Sequence, residues 1–275
     1  MTVREIEKRL SDAGITEAAY EARLIGSHFS GKSTARLLVE PDADISGNEV
    51  ETFVRRRCER YPLQYLFGEW EFSGMTFALT EDCLIPRADS EILAEAAARR
   101  LKKGGAVLDL CTGTGCILAA VLKLSGNTRG TAVELYPKTA EVARKNLARL
   151  GFDCEVITGD ATTDLFPPGT KFDVITANPP YVTADEMKTL DTELYFEPRT
   201  ALTDGGDGLS IIRGIIKSYR NHLADGGAML IEHGAEQAEA VREIARENGM
   251  ESETLKDYGG HDRVAVITKI KQNNF

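Results

Sequence analysis

The chain has 275 residues, 42% hydrophobic and 28% charged, with a formal net charge of -10. That is enough to bury one large core and a smaller second one, and no run approaches the roughly twenty apolar residues that span a bilayer. An acidic protein lacks the broad cationic surface from which nucleic-acid binding draws most of its affinity, which argues against direct binding of duplex DNA.

Residues 1–68 read as a small helical domain without strands. Met1-Thr2-Val3-Arg4-Glu5-Ile6-Glu7-Lys8 mixes acids into its first turn and has no apolar core, unlike a secretory signal or a transit peptide. Val3, Ile6 and Leu10 share one helical face; Thr16 can cap a second helix carrying Ala18, Ala22 and Ile25; Asn48 can cap a third carrying Val50, Phe53, Val54 and Cys58. Ser30-Gly31-Lys32-Ser33-Thr34 superficially suggests a phosphate loop, but the preceding glycine and the strand leading into it are missing. It reads as a connector between helices. The cysteines, Cys58, Cys83, Cys111, Cys116 and Cys154, are odd in number and lack paired metal spacing. They predict reduced thiols in a cytoplasmic protein, with no metal site and no disulfide framework.

Residues 70–79 alternate about Ser73-Gly74 as a β-hairpin does, so 69–85 is expected to link the helical domain to the rest. In Leu84-Ile85-Pro86-Arg87-Ala88-Asp89-Ser90-Glu91 the proline enforces an extended bend. Asp89 or Ser90 is then placed to cap a helix running to Leu101, which Gly104 and Gly105 stop. From residue 105 strands at 106–110, 131–134, 155–158, 172–177 and 229–232 alternate with helices at 116–124, 137–150, 208–223 and 235–248. Such alternation predicts an α/β fold over residues 86–275: a doubly wound, mostly parallel, Rossmann-like sheet. Residues 253–257 and 263–269 flank Gly259-Gly260 as two strands meeting at a turn.

Chemistry begins where the first strand of this sheet runs out, at Asp109-Leu110-Cys111-Thr112-Gly113-Thr114-Gly115. A strand feeding a glycine turn and then a helix brings backbone N–H groups and the positive helix end against a ligand. Glu134, at the end of the next strand, is placed to accept hydrogen bonds from ribose hydroxyls. The pair predicts a nucleoside cofactor. A dinucleotide site would want a third glycine where Leu118 stands, and Asp109 is unhelpful beside a pyrophosphate. Both departures favour S-adenosylmethionine, which has no phosphate and carries a cationic sulfonium and an amino group. Further on, the apolar run 173–177 closes in Asn178-Pro179-Pro180-Tyr181. Two prolines cannot extend a ladder, so this loop lies at a strand's carboxyl end, where open α/β sheets bind ligands. It offers a side-chain amide, a rigid carbonyl and a ring.

With the glycine loop, Asn178-Pro179-Pro180-Tyr181 resembles the signature of class I methyltransferases that act on a planar NH2 group. Pro62-Leu63-Gln64-Tyr65, Gly68-Glu69, Phe72-Ser73-Gly74, Leu84-Ile85-Pro86-Arg87, Glu197-Pro198-Arg199 with Ala201-Leu202, Glu232-His233-Gly234 and 259–264 narrow the resemblance to the HemK/PrmC family of protein-glutamine methyltransferases. Ser90 stands where that family often has threonine, and Cys111 where glycine is frequent. The resemblance implies transfer of a methyl group from S-adenosylmethionine, leaving S-adenosylhomocysteine, to the glutamine of the Gly-Gly-Gln loop in class 1 peptide chain release factors. It also implies a monomer whose N-terminal domain recognises that substrate. Asn178, Pro179, Pro180 and Tyr181 would hold the glutamine amide; Asp109, Cys111, Thr112, Gly113, Thr114 and Gly115 would surround the methionine and ribose portions of the cofactor, with Asn178 beside them. Glu134 would take the ribose, and Asp160 and Ala161 would flank adenine. Arg87 could approach the cofactor carboxylate or the substrate loop, or bridge the domains. An adenine amino-group methyltransferase is the alternative, with Tyr181 stacked on a flipped base; the acidic charge weighs against it. His28, His222, His233 and His261 lie outside both motifs and read as structural or surface residues.

Overall fold

A capping box starts the chain: the Thr2 hydroxyl accepts from the Glu5 N–H at 3.2 Å while the Glu5 carboxylate accepts from the Thr2 N–H at 2.8 Å. The computed structural model describes residues 1–45, 47–127 and 129–270 and divides into two compact units. The first comprises Met1–Gly68 together with Asp191–Phe196. It holds α1 (Val3–Asp12), α2 (Ala18–Ser30), α3 (Thr34–Val39), α4 (Asn48–Cys58) and α5 (Leu63–Phe67). Ile6, Leu10, Ile25 and Val54 are fully buried at its centre, as the helical spacing predicts.

Several helix starts differ from expectation. Glu17, not Thr16, precedes α2, and no side chain caps it. The stretch from Ser30 to Thr34 is indeed a connector, but it leads into α3, where the Ser33 hydroxyl accepts from the Arg36 N–H at 3.2 Å. Helix α4 begins at Asn48 after Gly47; a capping role for the Asn48 side chain lies outside the described residues.

Residues 191–196 join this unit through charge. The buried guanidinium of Arg57 donates to Glu21 at 2.6 Å and to Glu193 at 3.1 Å, and Arg60 reaches Glu193 at 2.9 Å. A buried cation needs such partners, because its desolvation is repaid only by close, hydrogen-bonded carboxylates.

The second unit takes Glu69–Leu190 and the chain from Glu197 onward. Strands β1 (Glu69–Phe72) and β2 (Met75–Ala78) form the expected hairpin, with Ser73 and Gly74 both left-handed as a two-residue turn of this hand requires. Phe72 and Phe77 are buried in this unit's own core, so the hairpin is an integral part of it. Then come α6 (Glu91–Arg100), β3 (Val107–Leu110), α7 (Cys116–Ser125), β4 (Arg129–Glu134), α8 (Pro137–Arg149), β5 (Asp153–Thr158), β6 (Phe172–Ala177), α9 (Arg199–Leu202), α10 (Ser210–Tyr219), β7 (Leu223–Glu232), α11 (Ala238–Glu247), β8 (Met250–Lys256) and β9 (Asp262–Lys269). Neither Asp89 nor Ser90 caps α6 through its side chain, contrary to expectation. Helix α10 is shorter than the predicted 208–223, because Gly208 takes a left-handed φ of 73° and Leu223 already pairs in the sheet.

The sheet has seven strands in the order β5-β4-β3-β6-β7-β9-β8, parallel except that β9 runs against β7 and β8. One apolar cluster centred on α6 and α7 covers one face, and another centred on α10 and α11 covers the other. Chain direction across the sheet reverses between β3 and β6. Their carboxyl ends therefore flank the crevice where doubly wound sheets bind ligands. Among the described residues no helix is long and apolar enough to cross a membrane.

Candidate active site

Leaving β3, the chain turns through three left-handed residues, Cys111, Gly113 and Gly115, with φ of 55°, 56° and 82°. A side chain in that region costs about 1–2 kcal/mol, so Cys111 carries local strain of the kind that collects at binding loops. A β-carbon on Gly115 would meet Leu147 at 3.2 Å, so this glycine lets the loop close on α8. Nothing stands within 4 Å of the corresponding point on Gly113. Gly113 keeps space open; Gly115 fills it.

Acids brace this loop from two sides. Asp109 is fully buried and accepts from the hydroxyls of Thr112 at 2.5 Å and Thr176 at 2.6 Å. Burial pushes its carboxyl up to about 6, against those hydrogen bonds. Glu134 accepts from the Gly113 N–H at 3.0 Å with one oxygen and from the Tyr136 N–H at 3.0 Å with the other. Burial raises its pKa and the two backbone donors oppose that. Asp160 closes a turn by accepting from the Thr162 N–H at 2.8 Å and hydroxyl at 2.7 Å.

Across the crevice, Asn178 Nδ2 donates to the Ser90 hydroxyl at 3.1 Å. Tyr181 is held at both ends: its phenol donates to Glu232 at 3.1 Å, and its carbonyl accepts from Gln237 Nε2 at 2.9 Å. Burial and the neighbouring carboxylate push the phenol's pKa up, so it stays a donor. A β-carbon on Gly208 would lie 2.0 Å from the Tyr181 carbonyl oxygen. Gly208→Ala is therefore expected to displace the loop: left-handed strain alone costs about 1–2 kcal/mol, lowering the melting temperature, and turnover should fall with it. Wild-type turnover in that variant would show the loop tolerates the shift. Arg87 pairs with the buried Glu197, which also accepts from the Ile85 N–H at 3.0 Å, so the segment from Leu84 to Arg87 is tied to the start of α9.

Many of these groups line one cavity, and the rest brace it. Of the sequence-predicted residues, Cys111, Thr112, Gly113, Thr114, Glu134, Asp160, Ala161, Asn178, Pro180 and Arg87 face it. Asp109, Gly115, Pro179 and Tyr181 are not on its wall; Asp109 lies beneath the loop, and the Tyr181 ring packs into the core instead of facing the cavity. Ser90, Leu135, Tyr136, Pro198, Ala201 and Ile211 were not anticipated. Pro198 and Ala201 stood in motif segments without an assigned place, whereas Leu135 and Tyr136 follow Glu134 and could have been inferred from it. Among the described lining residues the acids are Asp82, Glu134 and Asp160, and the cation is Arg87, already paired. Such a lining suits a ligand with positive charge and an aromatic base, and offers little to a pyrophosphate. Its acids suit the sulfonium and amino group of a ligand such as S-adenosylmethionine.

Comparison with known proteins agrees with this chemistry. Residues 2–68 match the PrmC N-terminal domain and residues 88–225 the methyltransferase small domain. A release factor glutamine methyltransferase from Bordetella pertussis is 37% identical over 93% of this chain and 96% of its own length; one from Neisseria gonorrhoeae is 35% identical over 90% and 92%. A methyltransferase of known structure from Pyrococcus furiosus, 17% identical, superposes with a TM-score of 0.54 over 80% of this chain and 98% of its own, which establishes the class I methyltransferase fold. The chain belongs to the HemK/PrmC family, the release factor glutamine methyltransferases.

Proposed function

We propose that this protein transfers the methyl group of S-adenosylmethionine to the side-chain amide nitrogen of the glutamine in the Gly-Gly-Gln loop of class 1 peptide chain release factors, acting in the cytoplasm as a monomer. The observation that carries the reading is that Asn178 shares one cavity with Gly113 and Glu134, so an NH2 group held by Asn178 would lie beside a nucleoside held by the loop. The bound cofactor supplies an electrophilic methyl on a sulfonium sulfur. Glu134 has lone pairs left for the ribose hydroxyls after accepting its two backbone donors. Asp160 and Ala161, with Leu135 and Tyr136, would flank the adenine, and Cys111 to Thr114 would hold the methionine and ribose portions; all of them line the cavity.

An amide nitrogen is a poor nucleophile because its lone pair is delocalised. Asn178 Oδ1, on the cavity wall, would accept one of its hydrogens, hold it toward the methyl and stabilise the positive charge it gains. Positioning of this kind contributes up to about 7–11 kcal/mol of barrier lowering in well-oriented cases. Pro180 stiffens the loop. Tyr181 acts from behind, its phenol spent on Glu232, and Arg87 with Glu197 braces the rim.

Labelled S-adenosylmethionine offered with release factor, with release factor whose Gly-Gly-Gln glutamine is changed to alanine, or with DNA tests the assignment. Label should enter only the unaltered release factor; label in DNA would favour adenine methylation. The helical unit is proposed to hold the release factor. A chain beginning at Glu69 is then expected to bind S-adenosylmethionine by calorimetry while losing about tenfold or more in kcat/KM on intact release factor, the loss of roughly one good contact. Full activity of the shortened chain would remove that role.

A further inference from the structure

Glu232-His233-Gly234 and residues 259–264 have no part in the reaction as described so far, yet they converge behind the Asn178 loop. Glu232 ends β7 and pairs in register with Val264, and the His233 N–H donates to the Arg263 carbonyl at 2.9 Å. Arg263 in turn donates to Asp257 at 3.0 Å. Glu232 is 1% exposed. One of its carboxylate oxygens accepts from the Tyr181 phenol, and the other, also buried, closes no hydrogen bond. Burial raises the pKa of this carboxyl, and the neighbouring hydroxyls of Ser90 and Tyr181 oppose the rise. Ser90 is itself 2% exposed, lines the cavity, and sits ahead of α6 without capping it.

A hydroxyl has one proton and two lone pairs, so a Ser90 oxygen that accepts from Asn178 Nδ2 still has its own proton to place. The Glu232 oxygen that closes no hydrogen bond offers that proton an acceptor behind Ser90, while Ser90 accepts from the front. What it accepts from Asn178 must be the NH2 end of that amide, so the carbonyl end faces the cavity. Without Ser90 both ends of the Asn178 amide are open to rotation, and half of the orientations present N–H groups to a substrate NH2. Two facing donors repel.

We infer that Ser90 and Glu232 are positioning residues that fix the Asn178 side chain with its oxygen toward the methyl-accepting nitrogen. This rests on the reading of Asn178 as an acceptor for the substrate amide. The hydroxyl, not the bulk, carries the effect, so Ser90→Thr should work where Ser90→Ala does not. Glu232→Gln keeps the volume and a partner for Tyr181, but its NH2 can donate to Ser90 and let the Asn178 amide turn over.

Steady-state kinetics on release factor, paired with calorimetry for S-adenosylmethionine, provides the test. Ser90→Ala and Glu232→Gln are expected to lower kcat by about tenfold, the scale of one net hydrogen bond, with cofactor affinity held within about twofold. Ser90→Thr should return kcat to within about threefold of wild type, and Ser90→Ala should add less than about twofold to Asn178→Ala, because the two act as one unit. Wild-type kcat in Ser90→Ala, equal loss in Ser90→Thr, or full additivity with Asn178→Ala would each overturn the inference, and wild-type kcat in Glu232→Gln would remove Glu232 from it. A second readout needs no substrate: the Asn178 side-chain NH2 should be protected from hydrogen exchange by NMR in wild type and Ser90→Thr, and unprotected in Ser90→Ala. If wild type fails to methylate release factor, the substrate reading falls, and the exchange pattern alone decides whether Ser90 orients Asn178; unchanged protection in Ser90→Ala overturns it.

Discussion

Replacing Asn178 with alanine is expected to reduce turnover on release factor by about 10²–10³-fold at saturating substrate, the scale of losing one preorganised group aimed at developing charge. The change leaves Pro179, the glycine loop and Glu134 in place, so S-adenosylmethionine should bind as before. The loss falls on kcat because the substrate nitrogen becomes cationic as the methyl arrives, and the hydrogen bond to Asn178 Oδ1 strengthens at that point. Asn178→Asp separates acceptor from scaffold. It retains an oxygen toward the substrate, but its second oxygen cannot donate to Ser90 as the amide does. Partial activity is the expected result, between wild type and alanine. Normal turnover in Asn178→Ala combined with a dead Asn178→Asp would mean that the residue shapes the loop and accepts nothing.

The elements that sequence reading recovered best are those whose pattern is local. Strand β6 is a β-branched run stopped by two prolines, the β1–β2 turn needs left-handed residues and has Ser73-Gly74, and the loop after β3 needs space and has Gly113. What escaped it is decided by partners distant in sequence. Helices α3 and α5 are too short to show a period. Glu193 lies among residues that otherwise belong to the second unit, and its pairing with Arg57 and Arg60, with the Phe196 ring against Tyr61, ties its segment to the first. Ser90 looked like a helix cap because serine before a helix usually is one; its hydroxyl is instead engaged by Asn178, 88 residues away in sequence. Tyr181 suggested a stacking ring by its company in the motif, but a buried carboxylate at the end of β7 takes its phenol and draws the ring off the cavity wall.

Glu134→Ala is expected to weaken S-adenosylmethionine binding by about 1.5–3 kcal/mol, the range for hydrogen bonds to a charged group, or roughly 10–150-fold in Kd. Two losses contribute. The ribose hydroxyls lose their acceptor, and the N–H groups of Gly113 and Tyr136 lose the carboxylate that holds them at 3.0 Å. Glu134→Gln distinguishes them. Its single oxygen can satisfy one backbone donor while its NH2 meets the other as a second donor, so the loop is disturbed with the side-chain volume unchanged. If the ribose contact dominates, the glutamine variant, which can still offer the ribose an oxygen, binds more tightly than the alanine variant. If loop geometry dominates, the two bind alike. Because the cofactor sulfonium is positively charged, removing a buried acid should also weaken S-adenosylmethionine more than S-adenosylhomocysteine, whose sulfur is a neutral thioether. Calorimetry with both ligands reads that difference directly; unchanged affinity for both in folded Glu134→Ala would place Glu134 outside the cofactor site.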